Sequence, residues 1–577
     1  MAEVDVSTVA ATPARLNVAD RLAESAARSP DGIAVACPRR HSAGYTTITF
    51  SELDADATCI ARGLVDWGVT SGTRLVLVVR PGIEFVTLVF ALLRAGAVIV
   101  LVDPGLGRKN LIRCLAEAQP EGFVAIPVVQ AARLCLRHKF PGATWIVTVG
   151  WRWFWGGLTL ADLRERGTRF PKVTLPKTRA DDAAAIIFTS GSTGPPKGVH
   201  YTQRMFDTQV AAIQSMYGIE PGGVDLSCFP LFALFNSAMG VTTVLPQMDF
   251  SRPASADPEK LLAAANDWKV TQAFASPAVW RKLGAHCAKT GDRIHSLRQV
   301  FSCGAPVSAD VLRSTLALAA PNASMHTPYG ATECLPVATI EATEVLGETA
   351  ARTDEGAGVC VGRKFDSIDW RIIRITDDPI AEIDDAEELP TGEIGELIVR
   401  GPQASPRYIT RIECSAEAKI RDGERAGSSS TPRFWHRMGD VGYFDDAGCF
   451  WYCGRKSQRV ESQNGPVFTE QVEAIVNAHP AVRRSALVGI GPRGAQTPIV
   501  IVEPSTPFVE EHALDFEIVP YLELAQQLLG IAATSTVSVA VKRVLFYPLL
   551  PVDVRHNAKI NREQLSVWAA TQLPELA

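Results

Sequence analysis

Residues 183–200 read AAAIIFTSGSTGPPKGVH, an apolar run that ends in a loop rich in glycine and hydroxyl side chains. The run predicts a buried strand, and the loop after it can turn backbone N–H groups and hydroxyls toward an anion. The candidate anion-binding residues are Thr189, Ser190, Gly191, Ser192, Thr193, Gly194 and Lys197. We therefore interpret the stretch as a strand that presents a phosphate-binding loop.

Two other interpretations of this loop were weighed. A flexible linker has the same composition, and the loop alone does not decide between a linker and a phosphate site. The nucleotide-binding pattern G-x-x-x-x-G-K-[ST] is absent, because Lys197 follows a proline and precedes Gly198, where that pattern needs a hydroxyl residue. A kinase-type or GTPase-type phosphate loop is therefore disfavoured.

Composition limits the class of protein. At 577 residues the chain is longer than one hydrophobic core usually supports, so we expect two or more domains. Hydrophobic residues make up 47% and charged residues 21%, which is typical of a folded protein. The net charge of −5 provides no basic field for nucleic acid, so small molecules are the expected partners.

Three features bear on the compartment. The 12 cysteines are scattered without a C-x-x-C pair, which favours reduced, mostly buried thiols in a cytoplasmic protein. The first residues carry acids and lack the apolar segment of a secretory signal. Residues 85–102 are the most apolar stretch, but Arg94 and Gly96 interrupt it, so we predict a helix and a strand and no transmembrane segment.

Alternating helix and strand patterns run from Val18 to about Gly330 and predict layered α/β subdomains with parallel strands. Strand patterns at 369–375 and 394–400 predict a small β subdomain, and the last part of the chain predicts a compact α+β unit. The fold class expected is therefore α/β.

Two segments depart from these patterns. Residues 404–433 are long and polar, and we predict a loop. Residues 150–157 read GWRWFWGG, and packing in the surface or core is favoured over a contact with a membrane or partner.

The loop and several later motifs resemble those of the adenylate-forming superfamily, which includes acyl-CoA synthetases, peptide-synthetase adenylation domains and luciferases. The later motifs, in order, are YGATE (329–333), GEIGELIVRG (392–401), HRMGD (436–440), GRK (454–456) and the late Lys559. Ordered matches over most of the chain favour the phosphate-loop interpretation over the linker.

The resemblance implies a domain organisation. A large N-terminal domain would span residues 1–454, and a hinge would span 455–458 with Ser457 at its centre. A small mobile C-terminal domain would span 459–577 and carry the catalytic lysine, Lys559.

The resemblance also implies ATP and Mg²⁺ and gives roles to the motif residues. The loop at 189–197 would hold the β- and γ-phosphates, with Lys197 as its cation. Glu333 would bind Mg²⁺, and Asp440 would accept both ribose hydroxyls. Arg455 would reach the ribose or the phosphates. The remaining nucleotide-binding residues would be Gly304, Ala305, Pro306, Tyr329, Gly330 and Thr332.

Lys559 would bridge the substrate carboxylate and the α-phosphate when the small domain closes. Judged in isolation, a lysine at this position would be interpreted as a solvated surface residue. The acyl pocket is expected from three mostly apolar or small segments, which suit an alkyl chain. Its predicted residues are Phe232, Phe235, Met239, Cys303, Cys334 and Leu335.

The segment after the hinge departs from the pattern of thioester-forming members. It reads SQRVESQNG and places Glu461 and Asn464 where those members usually have lysine and glycine. This disfavours entry of coenzyme A and favours an internal nucleophile, such as a β-hydroxyl that closes a β-lactone. With RHNAKI around Lys559, the segment resembles the OleC β-lactone synthetases of bacterial long-chain olefin biosynthesis.

That resemblance implies a long-chain β-hydroxy acid as substrate and association with other enzymes of a hydrocarbon-synthesis pathway. A long-chain acyl-CoA synthetase or acyl-AMP ligase is the alternative. A non-catalytic acyl-binding subunit is disfavoured, because Lys197, Glu333, Asp440 and Lys559 are all present.

Overall fold

The computed structural model describes residues 15–39, 42–189, 195–423, 434–505, 518–552 and 560–576. The strands are β1 (Ile33–Pro38), β2 (Tyr45–Thr49), β3 (Arg74–Val78), β4 (Val98–Leu101), β5 (Gly122–Ala125), β6 (Trp145–Thr148), β7 (Leu158–Thr159), β8 (Ala183–Phe188), β9 (Gly198–Thr202), β10 (Val224–Ser227), β11 (Thr242–Val244), β12 (Gln272–Ala275), β13 (Gln299–Ser302), β14 (Ser324–His326), β15 (Tyr329–Ala331), β16 (Cys334–Thr339), β17 (Val359–Cys360), β18 (Arg363–Lys364), β19 (Asp369–Ile373), β20 (Gly395–Arg400), β21 (Lys419–Arg421), β22 (Phe434–Phe444), β23 (Phe450–Arg455), β24 (Val460–Ser462), β25 (Gly465–Val467), β26 (Val482–Ile490), β27 (Thr497–Pro504) and β28 (Arg543–Phe546). The helices are α1 (Asp20–Arg28), α2 (Phe50–Asp66), α3 (Ile83–Arg94), α4 (Arg108–Glu117), α5 (Pro127–Cys135), α6 (Leu160–Arg169), α7 (Gln203–Tyr217), α8 (Phe232–Met239), α9 (Pro258–Asp267), α10 (Pro277–Thr290), α11 (Ala309–Leu318), α12 (Ala342–Glu344), α13 (Ala350–Asp354), α14 (Glu413–Ala418), α15 (Thr469–Asn477), α16 (Ile518–Thr534) and α17 (Arg562–Gln572).

Two seven-stranded sheets form the body of the chain. Their strand orders are β14-β13-β12-β10-β11-β1-β2 and β7-β6-β5-β3-β4-β8-β9. Each sheet is parallel except for its last pair, which is antiparallel. This confirms the predicted α/β layering.

Helix α3 lies between the two sheets. It contacts β1 of one sheet and β4 of the other. A helix with sheets on two sides must be apolar all round, and α3 has a continuous buried run from Val86 to Arg94. The predicted helix and strand within 85–102 are therefore confirmed as α3 and β4. Among the described residues, no helix is both long and apolar enough to cross a membrane.

The remaining strands form smaller sheets. Strands β17, β23, β22, β20 and β19 make an antiparallel sheet, and β21 pairs with β22. After β23, the hairpin β24-β25 and the sheet β26-β27-β28 follow, and α15 and α17 pack on β26. The predicted β subdomain and the α+β unit are both present.

The structure corrects the prediction of a loop over 404–433. Residues 413–421 form helix α14 and strand β21, and residues 424–433 lie outside the described part. The strand forms because Ile420 pairs in register with Trp435 and both are fully buried. The apolar residues within this polar run, such as Ile409, Ile412 and Ile420, were the signal that sequence reasoning missed.

The aromatic segment at 150–157 is also different from the prediction. Trp151, Trp153 and Phe154 are 72%, 51% and 80% exposed. Only Trp155 is buried, where its indole Nε1 donates to Thr148 Oγ1 at 3.0 Å. Packing in the surface or core therefore holds for one of the four rings.

Candidate active site

A cavity of about 1420 Å³ lies where the carboxyl ends of parallel strands meet the β subdomain. Cys228, Ser276 and Cys303 line it, and they follow β10, β12 and β13. Open α/β sheets commonly bind ligands at this edge. Residues of the last unit, including Glu473 and Arg562, close the other side.

The base of the phosphate loop is held by two hydrogen bonds. Thr189 N donates to Lys197 O at 3.0 Å, and Lys197 N donates to Thr189 Oγ1 at 3.1 Å. Both residues line the cavity. The predicted residues Ser190, Gly191, Ser192, Thr193 and Gly194 lie outside the described residues.

Glu333, Tyr408 and Lys197 form a cluster beside that loop. The Tyr408 hydroxyl donates to Glu333 Oε1 at 2.6 Å, and the Lys197 ammonium lies 5.0 Å from the centre of the Tyr408 ring. Burial and the Glu333 charge raise the pKa of Tyr408, which keeps its hydroxyl a donor. The Glu333 carboxylate is therefore fixed next to a positive charge.

A second cluster surrounds Asp440 on β22. Its carboxylate Oδ1 lies 3.0 Å from Arg455 Nη1, and the Tyr329 hydroxyl donates to Oδ2. Asp440 and Arg455 are opposite each other in the register of β22 and β23. The Asp440 charge raises the pKa of Arg455, so the guanidinium is charged. A carboxylate held this way can accept hydrogen bonds from a diol.

The predicted adenine-side residues also lie on the cavity wall. Gly304, Ala305 and Pro306 line the cavity just after β13. Gly304 has φ +98°, a backbone conformation that favours glycine, and this allows the chain to turn there. Gly330 and Thr332 line the wall from the β15-β16 turn. The structure thus places the described nucleotide-site candidates around one cavity.

The predicted hinge borders the same cavity. Ser457 lines it, and the preceding Lys456 ammonium lies 3.1 Å from Glu396 Oε2. Beyond the hinge, Glu473 Oε2 pairs with Arg562 Nη2 at 2.7 Å, and Ile560 lines the cavity. Lys559, one residue before Ile560, lies outside the described residues.

The acyl-pocket candidates separate into two groups. Phe232, Phe235, Met239, Cys303 and Leu335 line the cavity. The Phe232 ring stacks on Phe274 with centroids 3.7 Å apart. The prediction for Cys334 was wrong: it is fully buried and does not line the cavity. Burial raises the pKa of its thiol to about 12, and the nearby Lys419 charge opposes this rise. Successive residues of a strand point to opposite faces, so Cys334 faces away where Leu335 faces in.

An acid in the cavity wall was missed by sequence reasoning. Asp225 on β10 accepts a hydrogen bond from Asn236 Nδ2 at 2.8 Å and another from the Ser227 hydroxyl. Burial raises the pKa of Asp225 to about 6. These neighbours occupy its acceptor sites, so the residue joins β10 to α8. A lone aspartate inside an apolar strand was the available signal.

Two basic residues near Glu333, the half-buried Lys419 and the buried His436, were also missed. Lys419 Nζ donates to Ser405 O at 2.5 Å, and burial lowers its pKa to about 8. His436, opposite Lys419 in the strand register, lines the cavity with Nδ1 3.1 Å from Ala418 O. Burial and nearby cations lower the pKa of His436, so its ring is neutral at pH 7.

Whether this site can bind a metal ion depends on the side chains that could act as ligands at Glu333. Within the described residues, no group of three or more histidine, cysteine or acidic side chains could hold a metal ion. Mg²⁺ usually takes one or two carboxylates together with water and substrate phosphates, and it does not need a protein cage. The single Glu333 carboxylate beside the phosphate loop fits that mode of binding.

Comparison with known proteins gives the following similarities. The family described as AMP-binding enzyme matches residues 22–409. An olefin beta-lactone synthetase of Stenotrophomonas maltophilia is 47% identical over 567 residues, covering 97% of this chain and 99% of the relative. An olefin beta-lactone synthetase of Xanthomonas campestris pv. campestris is 47% identical over 561 residues, covering 96% and 98%.

Solved structures share the fold at lower identity. The amide bond synthetase McbA from Marinactinospora thermotolerans has a TM-score of 0.73 at 22% identity, covering 96% of this chain and 99% of that chain. The O-succinylbenzoate coenzyme A synthetase MenE from Bacillus subtilis, in complex with ATP and magnesium, has a TM-score of 0.69 at 20% identity, covering 94% and 98%.

Proposed function

Because the chain belongs to the AMP-binding enzyme family, we propose that it activates a long-chain β-hydroxy acid with ATP and closes the acyl adenylate to a β-lactone. The observation that carries this proposal is 47% identity, over nearly the full chain, to two olefin beta-lactone synthetases. The largely apolar acyl region of the cavity supports an alkyl substrate.

In the first step, the substrate carboxylate attacks the α-phosphorus of ATP and pyrophosphate leaves. Asp440 accepts the ribose hydroxyls, and the ion pair with Arg455 orients that carboxylate. Lys197 neutralises charge on the departing phosphates. Glu333 would hold Mg²⁺, which supplies positive charge to the phosphates when bound.

The small domain completes the site. We propose that residues 459–577 rotate about the hinge at 455–458 and bring Lys559 to the α-phosphate. The position of Ile560 on the cavity wall supports this arrangement, because it is the next residue in the chain. The ion pairs of Asp377 with Arg459 and Arg493, at 2.8 and 2.6 Å, would be broken or exchanged in such a rotation.

In the second step, the β-oxygen of the substrate attacks its own carbonyl carbon. A ring C–O bond forms, the bond to the AMP oxygen breaks, and AMP leaves with that electron pair while the hydroxyl proton is released. No separate acyl acceptor is needed, because the nucleophile belongs to the acid itself. The strain of the four-membered ring is offset by the reactive mixed anhydride.

Glu461 supports an acceptor other than coenzyme A. Its carboxylate lies 2.5 Å from Arg459 Nη2 and 2.9 Å from Arg493 Nε. A lysine, the residue usual in thioester-forming relatives, would place a third cation between these two arginines. The ion-pair network is therefore specific to an acid at this position.

The test is a product analysis. The enzyme is incubated with ATP, Mg²⁺ and a long-chain β-hydroxy acid, with and without coenzyme A, and products are identified by mass and NMR. We expect AMP and a β-lactone in equal amounts and no consumption of coenzyme A. A matching acid without the hydroxyl should stop at a bound adenylate. Steady formation of acyl-CoA from either acid would instead establish the acyl-CoA synthetase.

A further inference from the structure

Helix α7 contributes one face to the acyl side of the cavity. Phe206, Gln209, Ile213 and Tyr217 line the cavity at spacings of three and four residues, as expected for one helical face. Three of these side chains are aromatic or aliphatic. Gln209 therefore places an amide on a helical face whose other three side chains suit contact with an alkyl chain.

The Gln209 amide is buried in the wall of the cavity. The residue is 0% exposed, neither Oε1 nor Nε2 has a described partner in full hydrogen-bond geometry, and the Tyr201 phenol is the neighbour that the amide approaches. Leaving a buried polar group unpaired carries a free-energy cost, and an amide has two such groups. A methionine or leucine would avoid this cost, so the amide points to a ligand that pairs with it.

Gln203, on the same helix, provides the contrast. It is also 0% exposed and its Nε2 is likewise without a described partner, but its Oε1 accepts a hydrogen bond from Val18 N at 3.0 Å, and it does not line the cavity. Its amide has a structural role that joins α7 to the start of the described chain. Gln209 makes no such connection.

The position of Gln209 relates it to the reacting end of the substrate. The amide lies beside the Tyr201 phenol, where it opposes the rise that burial causes in the pKa of Tyr201. The Tyr201 hydroxyl donates to Thr332 O at 2.7 Å, directly before Glu333. The Tyr201 side chain therefore connects Gln209 to Thr332 and Glu333, which border the phosphate loop.

We propose that the Gln209 amide hydrogen-bonds the β-hydroxyl of the acid and selects hydroxy acids over acids that lack this group. A hydroxyl satisfies both amide atoms, because it donates to Oε1 and accepts from Nε2. An alkyl chain without the hydroxyl would leave both amide atoms without a hydrogen-bond partner. A buried polar site rejects an analogue that lacks the matching group for this reason. This inference rests on the proposed function and names the residue that recognises its substrate.

The experiment measures pyrophosphate release with a long-chain β-hydroxy acid and the acid of equal length without the hydroxyl. In the wild type we expect kcat/KM to favour the hydroxy acid by roughly ten- to a hundredfold, the range of one or two neutral hydrogen bonds. In Gln209→Met this ratio should fall by about tenfold or more. Gln203→Met is the matched control and should keep the wild-type ratio.

A Gln209→Met enzyme that keeps the wild-type ratio, or that loses rate equally on both acids, would overturn the proposal. The wild-type measurement decides the question if the variant does not fold, because equal rates on the two acids would also overturn it. Pyrophosphate release precedes ring closure, and the final product is identified in the same reactions. Selective release without lactone would support the role of Gln209 and reject the proposed function.

Discussion

Asp440 and Arg455 stand opposite each other on β22 and β23, with Oδ1 and Nη1 3.0 Å apart. The Tyr329 hydroxyl donates to the same carboxylate. The arrangement holds the Asp440 carboxylate at the cavity, and its two partners come from separate elements. The candidate nucleotide site is thereby tied to the β subdomain and to the start of the predicted hinge.

Asp440→Asn should raise the KM for ATP by about tenfold or more, because it removes a charged acceptor for the ribose hydroxyls. It should also lower the free energy of unfolding by about 1–3 kcal/mol, since Arg455 loses its partner. Initial rates and urea unfolding check the two effects. An unchanged KM for ATP would show that Asp440 does not contact the nucleotide.

Glu333→Gln should lower the adenylation rate and raise the Mg²⁺ concentration needed for half-maximal activity, because a neutral amide binds this ion weakly. The fold should persist, since an amide oxygen can still accept the hydrogen bond from Tyr408. Glu344→Gln, an exposed ion-pair partner of Arg363, is the control. Equal metal dependence in wild type and Glu333→Gln would exclude Glu333 as a ligand.

Lys559→Ala should abolish adenylate formation while ATP binding stays nearly intact, because this lysine acts on charge that develops in the transition state. Pyrophosphate release and equilibrium binding of ATP separate the two effects. Lys542→Ala, an exposed lysine of the same unit, should keep wild-type activity. Unchanged pyrophosphate release in Lys559→Ala would contradict the role.

Lys419 should make stability depend on pH. Its pKa is lowered by burial to about 8 from the ordinary 10.5, so between these values the unfolded chain binds a proton that the native protein does not. The free energy of unfolding should therefore rise with pH across this window, by about 3 kcal/mol at most, relative to Lys419→Met. Urea unfolding at pH 7 and about pH 10 tests this, with Lys542→Met as control. A pH-independent difference between wild type and Lys419→Met would contradict it.

The sequence predicted those helices and strands that have a clear hydrophobic pattern and clear residues at their ends. Helix α3 and strand β4 follow from an apolar stretch broken by Arg94 and Gly96. The resemblance to the adenylate-forming superfamily also implied that Glu333 and Asp440 serve one site, and both line one cavity. These features are local in the chain or carried by ordered motifs.

Features that depend on tertiary packing were not predictable in this way. Gln209 on an amphipathic helix is indistinguishable from a surface amide until the cavity beside it is known. Lys419 was assigned to a loop because polar residues surround it, yet it lies in strand β21, where the pairing of Ile420 with Trp435 leaves it half-buried. The facing direction of Cys334 depends on the phase of a strand, which a motif match does not give.

The central claim is that the carboxylate is activated as an adenylate and the β-oxygen then closes the ring. The most direct measurement uses a β-hydroxy acid with both carboxylate oxygens labelled with ¹⁸O and follows the label by mass. The account predicts one ¹⁸O in AMP and one in the carbonyl of the lactone, with an unlabelled ring oxygen from the hydroxyl. A lactone that keeps both labels, together with unlabelled AMP, would contradict the account.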